Sequence, residues 1–198
     1  LIKGEHQTLS LRKVKGRSLL SKQIGFFEMN GITKVFIVTH HTANSSMLLS
    51  EASDFRTDTD VIEKEARGNA KALASIKERL KDNFIVMSGD TYTDFDLVNM
   101  IKKHISSDKL ATIGLMSRSK ASKYGAAVLD GELVIDFKEK PEKSDTHIVN
   151  AGIYIFKPAI FELFSDAKSL EDDILPKVAR IKQLVGYFTH GEYLHFGD

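Results

Sequence analysis

The sequence predicts a three-layer α/β domain with a mixed, mostly parallel central sheet and an inserted β-hairpin. Apolar runs rich in β-branched residues, such as Lys34–Thr39 and Phe84–Ser88, alternate with segments of helical period. This alternation is typical of a sheet covered by helices. Later in the chain, Asp130-Gly131 separates two strand-like runs, and this dipeptide is the strongest short signal for a hairpin.

The helices are predicted from apolar spacing and from residues that start or stop a helix. Asn30-Gly31 ends the first helix, because glycine tolerates the conformation needed at a helix C-terminus. Pro158 suits the first turn of a short helix, and Ser169 begins a capping sequence. In chain order, the predicted helices are Ser18–Met29, Ala70–Leu80, one capped by Asp94 that runs through Ile101, the short one at Pro158, and Ser169–Ala179.

The strands are predicted from short apolar runs that are bounded by turn residues. In chain order they are Lys34–Thr39, Phe84–Ser88, Leu110–Met116, Tyr124–Asp130, Glu132–Phe137, Ala151–Phe156 and Gly186–Thr189.

The composition is that of an ordinary soluble domain, with 42% hydrophobic and 28% charged residues. The formal net charge of +1 gives no global basic surface for nucleic acid. The absence of cysteine excludes disulfides and thiolate metal sites, which fits a cytoplasmic location. No apolar run approaches the ~20 residues of a membrane span.

The length favours one domain covering residues 1–198. The chain begins at Leu1 without a methionine and ends at Asp198, directly after Phe196-Gly197. We therefore expect residues to be missing at one or both ends.

The stretch Phe84–Asp94 is the most informative part of the chain. Its apolar run stops at Ser88-Gly89-Asp90, and polar residues follow at once. In open α/β sheets, ligands bind just outside the carboxyl ends of the strands. Gly89 lets the backbone turn sharply and lets a ligand approach closely. Asp90 then lies where a hard cation carried by a phosphate is held, unless it only caps the turn.

Four patches occur in a fixed order, and together they resemble the sugar-1-phosphate nucleotidyltransferases. They are Gly68–Leu73, Val86–Asp94, Glu139–Pro141 and Asn150–Phe156. The segment Val14–Leu20 is similar to the one that follows the signature loop of that family. The resemblance covers nearly the whole chain and implies a Rossmann-like nucleotidyltransferase fold.

The resemblance implies that a nucleoside triphosphate and a sugar 1-phosphate are joined, with release of pyrophosphate. The sugar-phosphate oxygen attacks the α-phosphorus. Such a transfer depends on alignment and on cations that neutralise the phosphoryl oxygens. Mg²⁺ is the expected ion, because it binds through one or two carboxylates plus phosphate oxygens.

The resemblance also implies roles for single residues. Asp90 matches the metal-binding aspartate, and Lys140 matches the lysine that binds the sugar phosphate, so both are candidate catalytic residues. On the nucleotide side the candidates are Gly4, Gly68, Asn69 and Gly89. On the sugar side they are Gly125, Glu139, Lys140, Asn150 and Gly152. Strand packing or a bulge would explain Gly125 and Gly152 equally well.

Two departures from the family pattern put activity in question. Gly4 is followed by Glu5–Leu9, which lacks the further glycine and the arginine of the signature loop. His195 stands where relatives carry a second metal-binding aspartate. Neutral imidazole is a poor ligand for Mg²⁺ and prefers softer ions. Asp198 is then the remaining candidate for a second carboxylate ligand.

These residues are compatible with three candidate functions. The first is a sugar-phosphate nucleotidyltransferase, as a monomer or a homo-oligomer. The second is a catalytically degenerate relative that binds a nucleotide sugar or a partner subunit. A dinucleotide-dependent oxidoreductase ranks last, because no Gly-x-Gly-x-x-Gly follows any predicted strand.

Overall fold

A computed structural model describes residues 9–39, 45–65, 67–119, 121–188 and 191–196. The α-helices in these ranges are α1 (Leu19–Met29), α2 (Ser45–Ala52), α3 (Asn69–Ala74), α4 (Leu97–Ser107) and α5 (Leu175–Arg180). The strands are β1 (Lys13–Val14), β2 (Arg17–Ser18), β3 (Lys34–Thr39), β4 (Asp58–Glu63), β5 (Phe84–Met87), β6 (Thr91–Thr93), β7 (Ala111–Ser117), β8 (Ala126–Asp130), β9 (Leu133–Lys138), β10 (Ile148–Phe156), β11 (Leu184–Phe188) and β12 (Tyr193–His195).

The main sheet has the strand order β5-β10-β7-β11-β9-β8. β10 runs antiparallel to β5 and β7, whereas β11 runs parallel to β7. The β8–β9 hairpin forms around Asp130-Gly131 and returns to touch β10 at Val149↔Ala126. The mixed sheet and the inserted hairpin are therefore confirmed. Parallel pairs are fewer than expected in this sheet, because the long strand β10 is antiparallel to each strand that it pairs with.

Helices cover both faces of the sheet, as expected for a three-layer domain. Side chains alternate along β10, so that Tyr154 and Phe156 join one buried cluster with α3 and α5. Ile153 and Ile155 join a second cluster with α1 and α4. Because fully burying such a side chain stabilises the fold by about 1.5–3 kcal/mol, this strand anchors both layers.

The helix starts agree with the sequence only in part. Ser18 caps α1 by accepting a hydrogen bond from the Ser21 N–H at 3.0 Å, and Ser169 caps the π-helical turn Leu170–Ile174 that leads into α5. The prediction that Asp94 caps α4 was wrong. Asp96 takes that position, because its carboxylate accepts the Asn99 N–H at 3.1 Å.

The second predicted helix, Ala70–Leu80, is interrupted. α3 ends at Ala74, and a short 3₁₀ turn follows at Lys77–Arg79. The Ser75 hydroxyl donates to the Ala72 carbonyl at 2.7 Å. Such local bonds compete with the backbone ladder, which explains why the helix stops here.

A cavity of about 690 Å³ lies between β3 and β5. In the part of the chain that the structure describes, β3 pairs with β4 and β5 pairs with β10. Val35 and Ile37 of β3 and Ile85 and Met87 of β5 line the cavity. These apolar strands are therefore only half-buried.

No α-helix among the described residues has the length and apolar character to cross a membrane.

A buried histidine makes stability depend on pH. His104 of α4 is fully buried, with Nδ1 2.9 Å from Thr112 Oγ1 of β7. Burial, and then the charge of Lys157, lowers its pKa from 6.5 to about 4. Between these values the unfolded chain binds a proton that the folded chain excludes. The free energy of unfolding therefore falls as the pH drops from 6.5 towards 4.

We expect this loss to reach about 3 kcal/mol, since one pKa unit corresponds to about 1.36 kcal/mol. Urea denaturation at several pH values measures it. His104→Gln should remove this part of the pH dependence, whereas His147→Gln, at an exposed position, should retain it. An unchanged slope in His104→Gln would contradict the assignment.

Candidate active site

A tight turn after β5 presents the carboxylate of Asp90. Ser88 Oγ and Thr91 Oγ1 donate to Asp90 Oδ1 at 2.8 and 3.2 Å. Gln23 of α1 holds the turn by donating to the carbonyls of Ser88 and Thr91 at 2.8 and 2.5 Å. The Asp90 side chain stays 26% exposed. The turn therefore offers a fixed and accessible anion at the end of a strand, as predicted.

A bulge in β10 lies directly against this turn. Gly152 has φ +70°, in the left-handed region, and its carbonyl accepts the Ser88 N–H at 2.9 Å. Asn150 Oδ1 accepts the Gly152 N–H, also at 2.9 Å. A Cβ at residue 152 would lie 3.2 Å from Thr91 Oγ1. Gly152 thus lies against the turn, and the bulge that was the structural alternative to a sugar-binding role for this glycine is present.

The hairpin brings the sugar-side candidates to the other flank of Asn150. The Asn150 N–H donates to the Gly125 carbonyl at 2.8 Å. A Cβ at residue 125 would lie 2.7 Å from Glu139 Oε2, so Glu139 packs against the glycine. The Lys140 N–H donates to the Tyr124 carbonyl at 3.1 Å. These residues therefore form one cluster.

Lys140 has an unusual backbone conformation. Its φ is +39°, in the left-handed region, and the following residue is Pro141, which further restricts it. Residues other than glycine adopt this region at a cost of about 1–3 kcal/mol, and such positions concentrate at functional sites. Lys140 is exposed.

Aromatic contacts connect the hairpin flank with the Asp90 turn. The Tyr124 ring meets the His195 ring edge-on, with centroids 6.5 Å apart. His195 Nε2 lies 3.7 Å from Asp90 Oδ2. The Asp90 turn and the backbone of Lys140 are therefore linked through Tyr124 and His195.

Asn69, a nucleotide-side candidate, reaches the same cluster through a chain of partly buried hydrogen bonds. Asn69 Nδ2 donates to Glu171 Oε2 at 2.6 Å, and Asn69 Oδ1 accepts the Leu170 N–H at 2.7 Å. Tyr154 Oη donates to Glu171 Oε1 at 3.1 Å and accepts from Asn150 Nδ2 at 2.7 Å. Asn69 thus has a structural role. That it also contacts the nucleotide stays a prediction from sequence.

Tyr154 and Glu171, the other members of this chain, were not predicted from the sequence. Tyr154 is one polar group in an otherwise apolar strand, and Glu171 stands in what reads as a helix start. Burial, and then the charge of Glu171, raises the pKa of the Tyr154 hydroxyl well above its ordinary value. The hydroxyl therefore stays protonated and can donate throughout the neutral range.

The remaining candidates are placed less centrally or lie outside the described residues. Gly68 has φ +100°, and a Cβ there would overlap the Lys168 carbonyl at 2.1 Å. Glycine is therefore required at this turn for a structural reason. Gly89 forms the Asp90 turn. Gly4 and Asp198 lie outside the described residues.

The donor set fits a hard cation only in part. Asp90 supplies an oriented carboxylate, which suits Mg²⁺. The neighbouring donor is the imidazole of His195, which suits Mg²⁺ poorly. Among the described residues, no group of three or more His, Cys, Asp or Glu side chains is arranged to hold a metal ion.

The fold is an α/β sheet with an oriented carboxylate just beyond the end of β5, and in open α/β sheets this is the edge at which ligands bind. The chain belongs to the nucleotidyl transferase family, whose sequence model matches residues 7–192.

Curated relatives agree with this family. The chain is 34% identical over 142 residues to the mannose-1-phosphate guanylyltransferase catalytic subunit beta of Danio rerio, covering 69% of this chain and 39% of the relative. It is 32% identical over 139 residues to the D-glycero-alpha-D-manno-heptose 1-phosphate guanylyltransferase of Aneurinibacillus thermoaerophilus, covering 69% of this chain and 60% of the relative. The chain thus spans less than two thirds of the length of either relative.

Solved structures show the same fold. A crystal structure described as a glucose-1-phosphate thymidylyltransferase from Bacillus anthracis has a TM-score of 0.85 at 17% identity, covering 96% of this chain and 81% of that one. At this identity the likeness concerns the fold alone.

The buried chain from Asn150 to Glu171 gives a stability prediction. Tyr154→Phe leaves the Asn150 amide and the Glu171 carboxylate without the hydroxyl that joins them. We expect a loss of about 2 kcal/mol in the free energy of unfolding, measured with urea. Tyr187→Phe, at a half-buried ring, should change it by less than about 0.5 kcal/mol. Equal stability of the two variants would show that the chain of hydrogen bonds contributes nothing.

Proposed function

We propose that this protein transfers a nucleoside monophosphate from a nucleoside triphosphate to a sugar 1-phosphate. Pyrophosphate leaves, and the product is a nucleotide-activated sugar. The new bond joins the sugar-phosphate oxygen to the α-phosphorus, and the bond from that phosphorus to the β-phosphate oxygen breaks. The observation that carries the proposal is the placement of the Asp90 turn and the Glu139-Lys140 turn on one cluster, linked through Tyr124 and His195.

Each residue of the cluster has a role that follows from its charge and position. Asp90 would hold a divalent cation at the phosphates, and that cation would neutralise the phosphoryl oxygens. The Lys140 ammonium would bind the sugar phosphate as a point charge. Glu139 would accept hydrogen bonds from sugar hydroxyls, for which an ionised oxygen is well suited. Glycine at residues 125 and 152 would let Glu139 and Thr91 pack closely at the site, because a Cβ would lie 2.7 Å from Glu139 Oε2 or 3.2 Å from Thr91 Oγ1.

The base and the sugar follow from the relatives rather than from this chain. Both curated relatives described above are named as guanylyltransferases. GTP with mannose 1-phosphate or a heptose 1-phosphate is therefore the first pair to test. A cytoplasmic location, a homo-oligomer and the absence of nucleic acid and membrane partners stay predictions.

A second candidate is a non-catalytic module that binds a nucleotide sugar. The imidazole of His195 beside Asp90 favours it, since this position weakens Mg²⁺ binding. Pyrophosphate release from a panel of triphosphates and sugar 1-phosphates would exclude the second candidate. Stabilisation by a nucleotide sugar without turnover would support it, because a ligand of the native state raises the melting temperature.

The charges of Asp90 and Lys140 give a matched pair of tests. Asp90→Ala should lower pyrophosphate release by at least about 100-fold while the far-ultraviolet circular dichroism is unchanged. Lys140→Gln should chiefly raise the KM for the sugar 1-phosphate. Lys138→Gln is the control, since Lys138 is exposed and pairs with Asp136 at 3.6 Å. Full activity in Asp90→Ala would remove its assignment.

A further inference from the structure

His195 is held beside Asp90 by backbone pairing. β12 runs antiparallel to β6, with His195 opposite Thr91, the residue that follows Asp90. The Phe196 N–H donates to the Asp90 carbonyl at 2.9 Å. The imidazole is therefore positioned by a strand ladder rather than by a chance side-chain contact.

The carboxylate of Asp90 is oriented towards this imidazole. Both hydroxyl donors, on Ser88 and Thr91, bind Oδ1. The other oxygen, Oδ2, faces His195 Nε2 at 3.7 Å. The two carboxylate oxygens thus make different contacts. The hydrogen bonds to Oδ1 fix the side-chain rotamer, and Oδ2 faces the imidazole ring.

Packing fixes the plane of the imidazole. The Tyr193 ring lies almost parallel to it, at an interplanar angle of 3°, and Tyr124 approaches edge-on. The His195 side chain is 24% exposed and Asp90 26%. Both side chains are therefore flanked by neighbouring groups and partly exposed to solvent.

The separation of these atoms suits a shared metal ion. At 3.7 Å, Nε2 and Oδ2 are too far apart for a good hydrogen bond. Two ligands that each lie about 2.1 Å from one ion, in roughly tetrahedral geometry, are about 3.4 Å apart. A small shift of either side chain would bring both atoms onto one ion.

We propose that Asp90 and His195 form a site for a divalent transition-metal ion, bound in preference to Mg²⁺. An imidazole nitrogen favours ions such as Co²⁺ and Zn²⁺, whereas Mg²⁺ prefers oxygen ligands alone. Two protein ligands leave the remaining positions to water or to phosphate oxygens. The ion's part in nucleotidyl transfer rests on the proposed function, but its binding does not.

Co²⁺ titration of the protein without nucleotide tests the proposal, with calorimetry and visible absorption as readouts. Wild type should bind Co²⁺ at least about 10-fold more tightly than Mg²⁺, because the imidazole nitrogen favours Co²⁺. His195→Asp should reduce the ratio of the two affinities at least about 10-fold, because a carboxylate oxygen then replaces the imidazole nitrogen. Asp90→Asn should weaken the binding of both ions. His147→Asn, at an exposed position, should leave Co²⁺ binding unchanged.

Urea denaturation shows whether His195→Asp and His195→Gln fold. If only His195→Gln folds, the metal titrations are done with that variant. Equal affinity of wild type for Co²⁺ and Mg²⁺, or an unchanged preference after His195 is replaced, would overturn the proposal. Turnover is measured separately. An inactive protein that still prefers Co²⁺ would count against the proposed function while leaving the metal assignment in place.

Discussion

The bulge in β10 is the constraint on which the candidate site depends. Asn150 pairs with Leu115 and Tyr154 with Ile113, so β10 takes four steps where β7 takes two. The additional residues place Gly152 in the left-handed region, where a side chain would cost about 1–2 kcal/mol. Through this bulge one strand meets the Asp90 turn by the Gly152 carbonyl and the hairpin by the Asn150 N–H.

The bulge also ties the site to the helical layer behind it. Tyr154 follows the bulge, and its hydroxyl joins Asn150 to Glu171, which in turn holds Asn69. The Asn150–Tyr154 bond is buried, so leaving either of its groups without a partner is costly. The sugar-side and nucleotide-side candidates are therefore positioned by one network. The edges of β3 and β5 are less tightly determined, since a cavity separates the two strands.

Local signals predicted the elements, but not the contacts that join them. Ser18, Asp130-Gly131 and Pro158 act within a few residues, so the first helix, the hairpin and the short helix were predicted from sequence. The β6–β12 ladder joins residues about a hundred positions apart, and the Asn69–Glu171 bond spans a similar separation. The apolar periodicity of the sequence does not predict such long-range pairings. Asp94 was mistaken for the cap of α4 because Asp96 offers the same chemistry two residues later, and only backbone geometry separates them.

The proposed function requires that two phosphorylated reactants lie between the carboxylate of Asp90 and the ammonium of Lys140. A crystal structure of the protein with a sugar 1-phosphate and a divalent ion tests it most directly. The account predicts the ion on Asp90, the phosphate beside Lys140, and the sugar against Glu139 and Gly125. A sugar phosphate bound elsewhere on the sheet, with Lys140 turned away from it, would contradict the account.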